Sequence, residues 1–203
     1  MDVGAGSGVF SKLLLDKHIA ASARCVDTAY KFDEKLETHN GKHIRFVKAV
    51  RDIDESLILM IDILEHLEDD GGFLKEYVDR FPVGSHILIG VPAFSFLWSG
   101  HDVFLSHKRR YTLTELEALV NSSGLRILRG RYFFGFLFPI VALIRLRNRI
   151  LLKKGKLIAK SDLSKPNRYI NSLLIAFHVL ELKILFPINR LAGLTAFCLA
   201  QKI

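Results

Sequence analysis

The chain of 203 residues is long enough for one domain whose sheet is buried between two layers of helices. Half of the residues are apolar, which excludes a disordered chain. The two cysteines, Cys25 and Cys198, stand in separate apolar runs, which excludes a disulfide framework and favours the reducing cytoplasm. The net charge of +8 comes from one segment, because Arg145 to Arg168 contain nine basic residues and a single acid, Asp162.

Short apolar runs alternate with helix-like stretches along most of the chain, a pattern typical of a mostly parallel sheet with helices on both faces. The turn rich in glycine near the amino terminus precedes a helix that directs Phe10 and Leu13–Leu15 inward. Further helices are predicted over Phe73–Phe81 and from Thr112, which lies three residues before Glu115 in the spacing of a capping box. The predicted strands are Met1–Val3, Ala23–Asp27, His43–Val47, Leu57–Asp62, His86–Val91, Leu125–Arg131 and Leu194–Lys202.

The segment 133–190 differs in character from the rest and is predicted to be a helical insert before the last strand of one domain, 1–203. Phe133–Ile144 is almost wholly apolar, but it is shorter than the ~20 residues that span a bilayer. Asn171–Phe186 is an apolar helix candidate interrupted by charged residues, and the basic run lies between the two. The insert either contacts an anionic membrane surface or packs on the sheet with a solvated linker. Nucleic acid is not expected as a partner, because the basic run lacks interleaved aromatic residues.

The run Gly4-Ala5-Gly6-Ser7-Gly8 stands where a strand must turn sharply into a helix. Glycine permits positive φ there, and the amino end of the helix suits an anionic group. Asp27 follows Gly8 by nineteen residues, the distance at which an acid can bind the ribose hydroxyls of an adenosine group. Val9 occupies the position where a dinucleotide-binding motif needs glycine. Three alternating glycines preceded by an acid, Asp2, are instead similar to the turn of enzymes that bind S-adenosylmethionine (SAM), which favours SAM as the cofactor. The alternative is a purely structural turn.

The motif Asp2–Gly8 resembles the first motif of the class I SAM-dependent methyltransferases, and Asp27 resembles their ribose-binding acid. Leu57–Leu67 is similar to the motif on their fourth strand, and the resemblance covers the chain to about Gly130 and again at the last strand. The run from Val91 to Tyr111 resembles a bacterial subgroup, methyltransferases of type 11/12. The resemblance implies a seven-stranded Rossmann-like α/β sheet, mostly parallel with an antiparallel last strand, and an N-terminal segment that this chain lacks. The cofactor-binding residues that it implies are Asp2, Gly4, Ala5, Gly6, Gly8, Asp27, Ile61 and Asp62.

The methyl acceptor is expected at the carboxyl ends of the fourth and fifth predicted strands, where ligands of open α/β sheets bind. His101 and His107 follow the fifth strand and are candidates for the general base, or else they are structural histidines. An arginine nearby could hold an acidic acceptor. The predicted substrate-binding residues are Trp98, Asp102, Arg110 and Tyr111.

Asp62, Glu65 and His66 are spaced so that they would share one face of a helix that begins directly after the strand. This arrangement resembles a site in methyltransferases of ubiquinone biosynthesis, where the equivalent residues hold a divalent cation. The favoured interpretation involves no metal: Asp62 caps the helix, and His66 packs beside the cofactor turn.

Two functions are compatible with these features. The first is a SAM-dependent methyltransferase that acts on a small or lipid-linked acceptor in the cytoplasm, on the inner face of the membrane if the insert binds there. The alternative is a catalytically inactive protein of the same fold that serves as a membrane- or partner-binding module.

Overall fold

The computed structural model describes residues 1–153 and 167–203, so most of the predicted basic linker, 154–166, lies outside the described residues. Within them the chain forms one eight-stranded sheet with helices around it. The strands are β1 (Asp2–Val3), β2 (Ala23–Val26), β3 (Glu34–His39), β4 (Lys42–Val47), β5 (Leu57–Ile61), β6 (His86–Pro92), β7 (Leu125–Phe133) and β8 (Thr195–Lys202). The helices are α1 (Val9–Asp16), α2 (Asp70–Arg80), α3 (Gly100–Phe104), α4 (Leu113–Ser122), α5 (Phe138–Lys153) and α6 (Arg168–Ile184).

The strand order is β3-β4-β2-β1-β5-β6-β8-β7. The pairs among β4, β2, β1, β5 and β6 are parallel, whereas β8 lies antiparallel between β6 and β7. This is the predicted Rossmann-like α/β sheet, mostly parallel with an antiparallel last strand. The short β1 lies at its centre, with Asp2 opposite Cys25 on one side and Leu59 on the other.

Alternating apolar side chains on β5 and β6 form the middle of the core. Ile58 is in register with Ile87 and Met60 with Ile89, and all four are fully buried. In a strand, alternate side chains point to the same face, so these four form one layer. That layer belongs to a single cluster with residues of α2 and α4, such as Leu74, which fixes β5 and β6 side by side.

One strand of the structure, β3, was not among the seven predicted. It pairs antiparallel with β4 at the edge of the sheet, and Asn40 and Gly41 join the two strands. Both turn residues have positive φ, 50° and 77°, as a tight two-residue hairpin requires. The strand was missed because it is polar and largely exposed, and an edge strand needs no apolar alternation.

Four helices, α2, α3, α4 and α6, start where a polar side chain accepts a hydrogen bond from a free amide group. Thr112 Oγ1 accepts a hydrogen bond from Glu115 N at 3.2 Å, and Glu115 Oε2 accepts one from Thr112 N at 2.7 Å, which confirms the predicted capping box. α2 begins at Asp70, three residues before the predicted start, because Asp69 Oδ1 accepts a hydrogen bond from Gly72 N.

α5 and α6 lie between β7 and β8 in the chain, where the sequence predicted a helical insert. The side chain of Glu181 on α6 is fully buried and accepts a hydrogen bond from Gly135 N at 2.6 Å. This bond ties α6 to the chain that leaves β7. In the part of the chain that the structure describes, no helix has the length and apolar character needed to cross a membrane.

Candidate functional site

The residues Gly4–Gly8 form a loop, here called the glycine loop, between β1 and α1. Gly4 has φ of +67°, and a Cβ atom there would lie 2.3 Å from Ile63 Cδ1. Gly6 has φ of +51° and faces open space, with nothing within 4 Å of where its Cβ would be. α1 begins after Gly8 without a side-chain cap, so its first amide groups remain available to a ligand. The loop is therefore packed closely against a side chain at Gly4, whereas the space beside Gly6 is open.

Asp27, at the carboxyl end of β2, holds the glycine loop in place. Its Oδ2 accepts a hydrogen bond from Gly6 N at 2.9 Å, and its Oδ1 accepts one from Ala29 N at 2.9 Å. Tyr30 donates its hydroxyl proton to Gly6 O at 2.7 Å. Each carboxylate oxygen keeps a second lone pair, so Asp27 can still accept hydrogen bonds from two hydroxyl groups. The contact between Asp27 and the loop was not predicted in detail, although the spacing indicated that they would be close.

Asp2 is buried beneath the loop and does not face solvent. Its Oδ2 accepts a hydrogen bond from Ser11 Oγ at 3.0 Å, which joins β1 to α1. Burial raises the pKa of Asp2, and the Ser11 hydrogen bond partly opposes this. Asp2 therefore acts on the loop through α1, and its predicted contact with the cofactor stays a prediction.

Ile61 is the last residue of β5 and Asp62 follows it, beside the glycine loop. Asp62 has φ of +54°, and its amide donates to Gly90 O at 2.9 Å. The chain then forms a short 3-10 turn, Leu64–His66, whose N-cap is Ile63 and has no side-chain cap. The suggestion that Asp62 caps a helix was wrong, and so was the shared helix face of Asp62, Glu65 and His66, because the left-handed backbone at Asp62 breaks the helical path.

A cavity of about 360 Å³ opens at the carboxyl ends of β5 and β6, here called the β5–β6 cavity. Its walls combine apolar side chains, such as Phe134 and Leu137, with ionisable ones. The ionisable residues that line it are Asp62, Glu65, His66, His101, His107, Arg110 and Arg145. Parallel strands place their carboxyl ends at one edge, so this cavity and the glycine loop lie on the same side of the sheet.

A larger groove, of about 740 Å³, lies at the opposite edge, lined by residues such as Met1, Arg24 and Glu55. Although this groove is larger than the β5–β6 cavity, it is not the candidate functional site. It faces the amino ends of the parallel strands, whereas ligands of open α/β sheets bind outside the carboxyl ends.

Asp102 organises the wall of the β5–β6 cavity. It is fully buried and accepts hydrogen bonds from Arg110 Nε at 2.7 Å, from His107 Nδ1 at 3.0 Å and from Ser99 N at 2.8 Å. Burial alone would raise the pKa of Asp102, but the hydrogen bonds from His107 and Arg110 outweigh it and hold the pKa well below its usual range. The carboxylate therefore stays ionised and fixes both neighbours, and it does not itself line the cavity.

Glu65, His66 and His107 come together in the same wall, with ligand atoms that all lie within 4.8 Å of one another. Burial, and then the neighbouring Asp62, raise the pKa of Glu65 to about 8. Burial, and then His107, lower the pKa of His66, which favours a neutral ring. The sequence pointed to Asp62 in place of His107 because it could not show that the loop after α3 folds back over the turn.

The other predicted substrate residues have separate surroundings. Arg110 lines the cavity and also donates to Ala93 O at 2.9 Å. Tyr111 is buried and donates its hydroxyl proton to Asp70 Oδ2 at 2.6 Å, and Trp98 is half-buried away from the lining. Substrate contacts of Trp98, Asp102, Arg110 and Tyr111 stay predictions. His101 lies in the lining at the start of α3.

Comparison with solved structures relates this geometry to known proteins. A SAM-dependent methyltransferase of Archaeoglobus fulgidus is 18% identical with a TM-score of 0.54, and the match covers 99% of this chain and 84% of that one. A SAM-dependent methyltransferase of Thermotoga maritima is 14% identical with a TM-score of 0.53, covering 100% of this chain and 80% of that one. Phosphoethanolamine N-methyltransferase 2 of Haemonchus contortus, solved with S-adenosyl-L-methionine, is 13% identical with a TM-score of 0.53, and the match covers 99% of this chain but 47% of that one.

No protein-family model matches the chain, and no curated protein matches it. The structural matches establish the fold, which is that of class I SAM-dependent methyltransferases. The fold that the sequence motifs implied is thereby confirmed.

Proposed function

We propose that this protein transfers a methyl group from SAM to a small or lipid-linked acceptor bound in the β5–β6 cavity. The observation that carries the proposal is the geometry at one edge of the sheet. There the glycine loop, whose Gly6 N donates a hydrogen bond to Asp27 Oδ2 at 2.9 Å, lies at the same edge as a cavity lined by ionisable side chains. The fold comparisons support a methyltransferase in general terms and leave the acceptor open.

The cofactor would lie along the glycine loop. The amide groups at the start of α1 suit its carboxylate, and Asp27 would accept hydrogen bonds from its ribose. Gly4, Ala5, Gly6 and Gly8 would provide the backbone surface, with Ile61 and Asp62 at the end of β5. When bound, SAM supplies a methyl group on a positively charged sulfur, which favours displacement by an acceptor with a free electron pair.

The residues of the cavity would then position the acceptor and take its proton. His101 and His107 line the cavity and are the proposed proton acceptors. Asp102 orients His107 by its hydrogen bond to Nδ1, which leaves the lone pair of Nε2 for the reaction or for a ligand. Arg110 and Arg145 bring guanidinium groups to the cavity lining, and either could hold an acidic group of the acceptor.

The insert is proposed to hold the protein against the inner face of an anionic membrane. Of the 27 exposed large apolar side chains in the described residues, fifteen lie between Ile140 and Leu191, on α5, α6 and the loop that follows. Phe134 and Leu137, just before α5, line the β5–β6 cavity, so this surface and the cavity are built from neighbouring chain. The proximity supports a lipid-linked acceptor.

Calorimetric titration with SAM tests the cofactor assignment. Asp27→Ala removes the proposed ribose contacts, and hydrogen bonds to a charged group contribute ~1.5–3 kcal/mol, so we expect affinity about 10- to 100-fold weaker than wild type. Asp33→Ala removes a carboxylate that is 98% exposed and is expected to bind SAM like wild type. A folded wild-type protein that gives no heat would contradict the enzyme and favour the inactive alternative.

A further inference from the structure

Three potential ligands of a metal ion meet in the wall of the β5–β6 cavity. Glu65 and His66 belong to the 3-10 turn after β5, and His107 belongs to the loop after α3. Their ligand atoms lie within 4.8 Å of one another, and the rings of His66 and His107 meet edge to face with centroids 4.8 Å apart. Two separate parts of the chain therefore converge on one point, and all three side chains border the cavity.

Glu65 lacks a partner where a buried carboxyl group needs one. Its side chain is fully buried, and neither carboxyl oxygen has a hydrogen-bond partner among the described residues. A buried polar group without a partner loses its hydration and gains nothing in return, so native structures rarely retain one without a reason. Nearby Asp102, by contrast, has hydrogen bonds to both oxygens. A cation bound by Glu65 would provide the missing interaction.

His107 is held in the orientation of a metal ligand. Its Nδ1–H donates to Asp102 Oδ1 at 3.0 Å, which leaves the electron pair on Nε2. Asp102 is fixed in turn by Arg110 Nε at 2.7 Å and by Ser99 Oγ at 3.1 Å. Histidine ligands of metal ions commonly have such a carboxylate on the other ring nitrogen, because it sets the tautomer and increases the basicity of the ligating nitrogen.

We propose that Glu65, His66 and His107 bind a divalent transition-metal ion of the zinc type. Two imidazoles and one carboxylate favour Zn²⁺, Co²⁺ or Ni²⁺ over Mg²⁺ or Ca²⁺, which prefer oxygen ligands. Bond lengths of about 2.1 Å require the ligand atoms to draw closer together on binding. The open coordination position faces the cavity and is available to water or to an oxygen or nitrogen atom of the acceptor. This last step rests on the proposed function, and it leaves His101 as the histidine that takes the acceptor's proton.

Visible absorption of the full chain titrated with Co²⁺ tests the site without any activity measurement. We expect d–d bands that saturate at one Co²⁺ per chain and disappear when Zn²⁺, but not Mg²⁺, is added. Glu65→Gln and His66→Gln each remove one ligand and are expected to weaken binding at least about tenfold. His43→Gln changes an exposed histidine on β4, outside the cluster, and is expected to bind like wild type.

Circular dichroism of each variant shows whether it is folded, and His66→Gln serves if Glu65→Gln does not fold. Absence of the bands in folded wild-type protein would overturn the metal site, as would equal affinities of His66→Gln and His43→Gln. Calorimetry with SAM separates the two proposals. A chain that binds SAM and gives no Co²⁺ bands refutes only the metal site, whereas a chain that gives the bands but binds no SAM refutes only the proposed function.

Discussion

At the scale of single residues, the glycine loop shows why a short motif can predict a binding site. Gly4 and Gly6 both have positive φ, but only Gly4 packs against a neighbouring side chain. The motif therefore encodes two requirements, one for close packing and one for an open surface. The sequence indicated the positive φ from the need for a sharp turn, but the close contact of Gly4 with Ile63 depends on tertiary packing and was not predicted.

Replacement of each glycine should separate the two requirements. Gly6→Ala adds backbone strain of ~1–2 kcal/mol at φ of +51°, whereas Gly4→Ala adds similar strain and a contact of 2.3 Å with Ile63 Cδ1. We expect Gly4→Ala to lower the free energy of unfolding more than Gly6→Ala in urea titrations. In an Ile63→Ala background the difference should shrink, since the colliding atoms are gone. An unchanged difference in that background would show that the contact is not its cause.

The buried Asp102 should make stability depend on acid pH. A carboxyl group whose pKa is lower in the folded state contributes stability above its unfolded pKa of ~3.9 and loses it as the pH falls toward the folded pKa. The ionisable groups around it are Arg110 and His107, with Arg145 Nη1 at 3.8 Å. Asp102→Asn should cost ~3–5 kcal/mol at pH 7, because Arg110 stays buried without its counter-ion.

The measurement for Asp102 is the free energy of unfolding in urea between pH ~5 and ~2. Wild type should lose stability more steeply over this window than Asp102→Asn, which has no carboxyl group to protonate there. Asp33→Asn is the control, since its carboxylate is 98% exposed and should leave the wild-type slope unchanged. If stability fell equally steeply with pH in wild type and Asp102→Asn, the neighbours of Asp102 would not lower its pKa in the folded state.

At the scale of secondary-structure elements, the sequence predicted the strands that are largely buried and missed the one that is largely exposed. β5 and β6 were found because each is a short apolar run between turn signals. β3 was missed because its only large apolar side chain, Leu36, is 64% exposed. The Asn40-Gly41 pair was the available signal, since two residues that tolerate positive φ are typical of a tight hairpin.

The sequence also does not show how α6 is attached to the chain that leaves β7. In the sequence, Glu181 only interrupts an apolar helix candidate. Its buried Oε1 accepts the Gly135 amide proton. Glu181→Gln keeps an oxygen acceptor and should leave the free energy of unfolding equal or higher, because it removes a buried acid. Glu181→Ala should lower it by ~1–3 kcal/mol, because the Gly135 N–H loses its partner. Urea unfolding and hydrogen exchange of the Gly135 amide provide the measurements, and equal protection in both variants would contradict the anchoring role.

At the scale of the whole molecule, the sequence predicted which edge of the sheet carries the site but not how the cavity wall is assembled. Asp27 could be placed because strand ends meet at a fixed edge in a parallel sheet. The pairing of Asp102 with His107 and Arg110 depends on the path of the loop around α3, which no periodic pattern encodes. The same loop brings His107 against His66, so the properties of the wall come from tertiary structure alone.

The insert carries most of the exposed large apolar side chains among the described residues, and this predicts the behaviour of the protein with membranes. Ile140 and Leu143 on α5 are 62% and 73% exposed, close to basic residues that would lie at an anionic lipid surface, where each contributes ~1 kcal/mol. Wild type should sediment with vesicles containing anionic lipid at low salt, and less at high salt or with neutral vesicles.

Ile140→Glu combined with Leu143→Glu should abolish most of this sedimentation, since it places two acids on the proposed lipid-facing surface. The matched control is Leu36→Glu combined with Val83→Glu, which changes side chains that are 64% and 77% exposed and lie outside the insert. Both pairs add two negative charges to the protein, so they alter its overall attraction to the vesicles equally. A difference between them therefore reports on the surface of α5 itself. Equal sedimentation of the two double variants, or of wild type with anionic and neutral vesicles, would show that the insert does not bind the membrane.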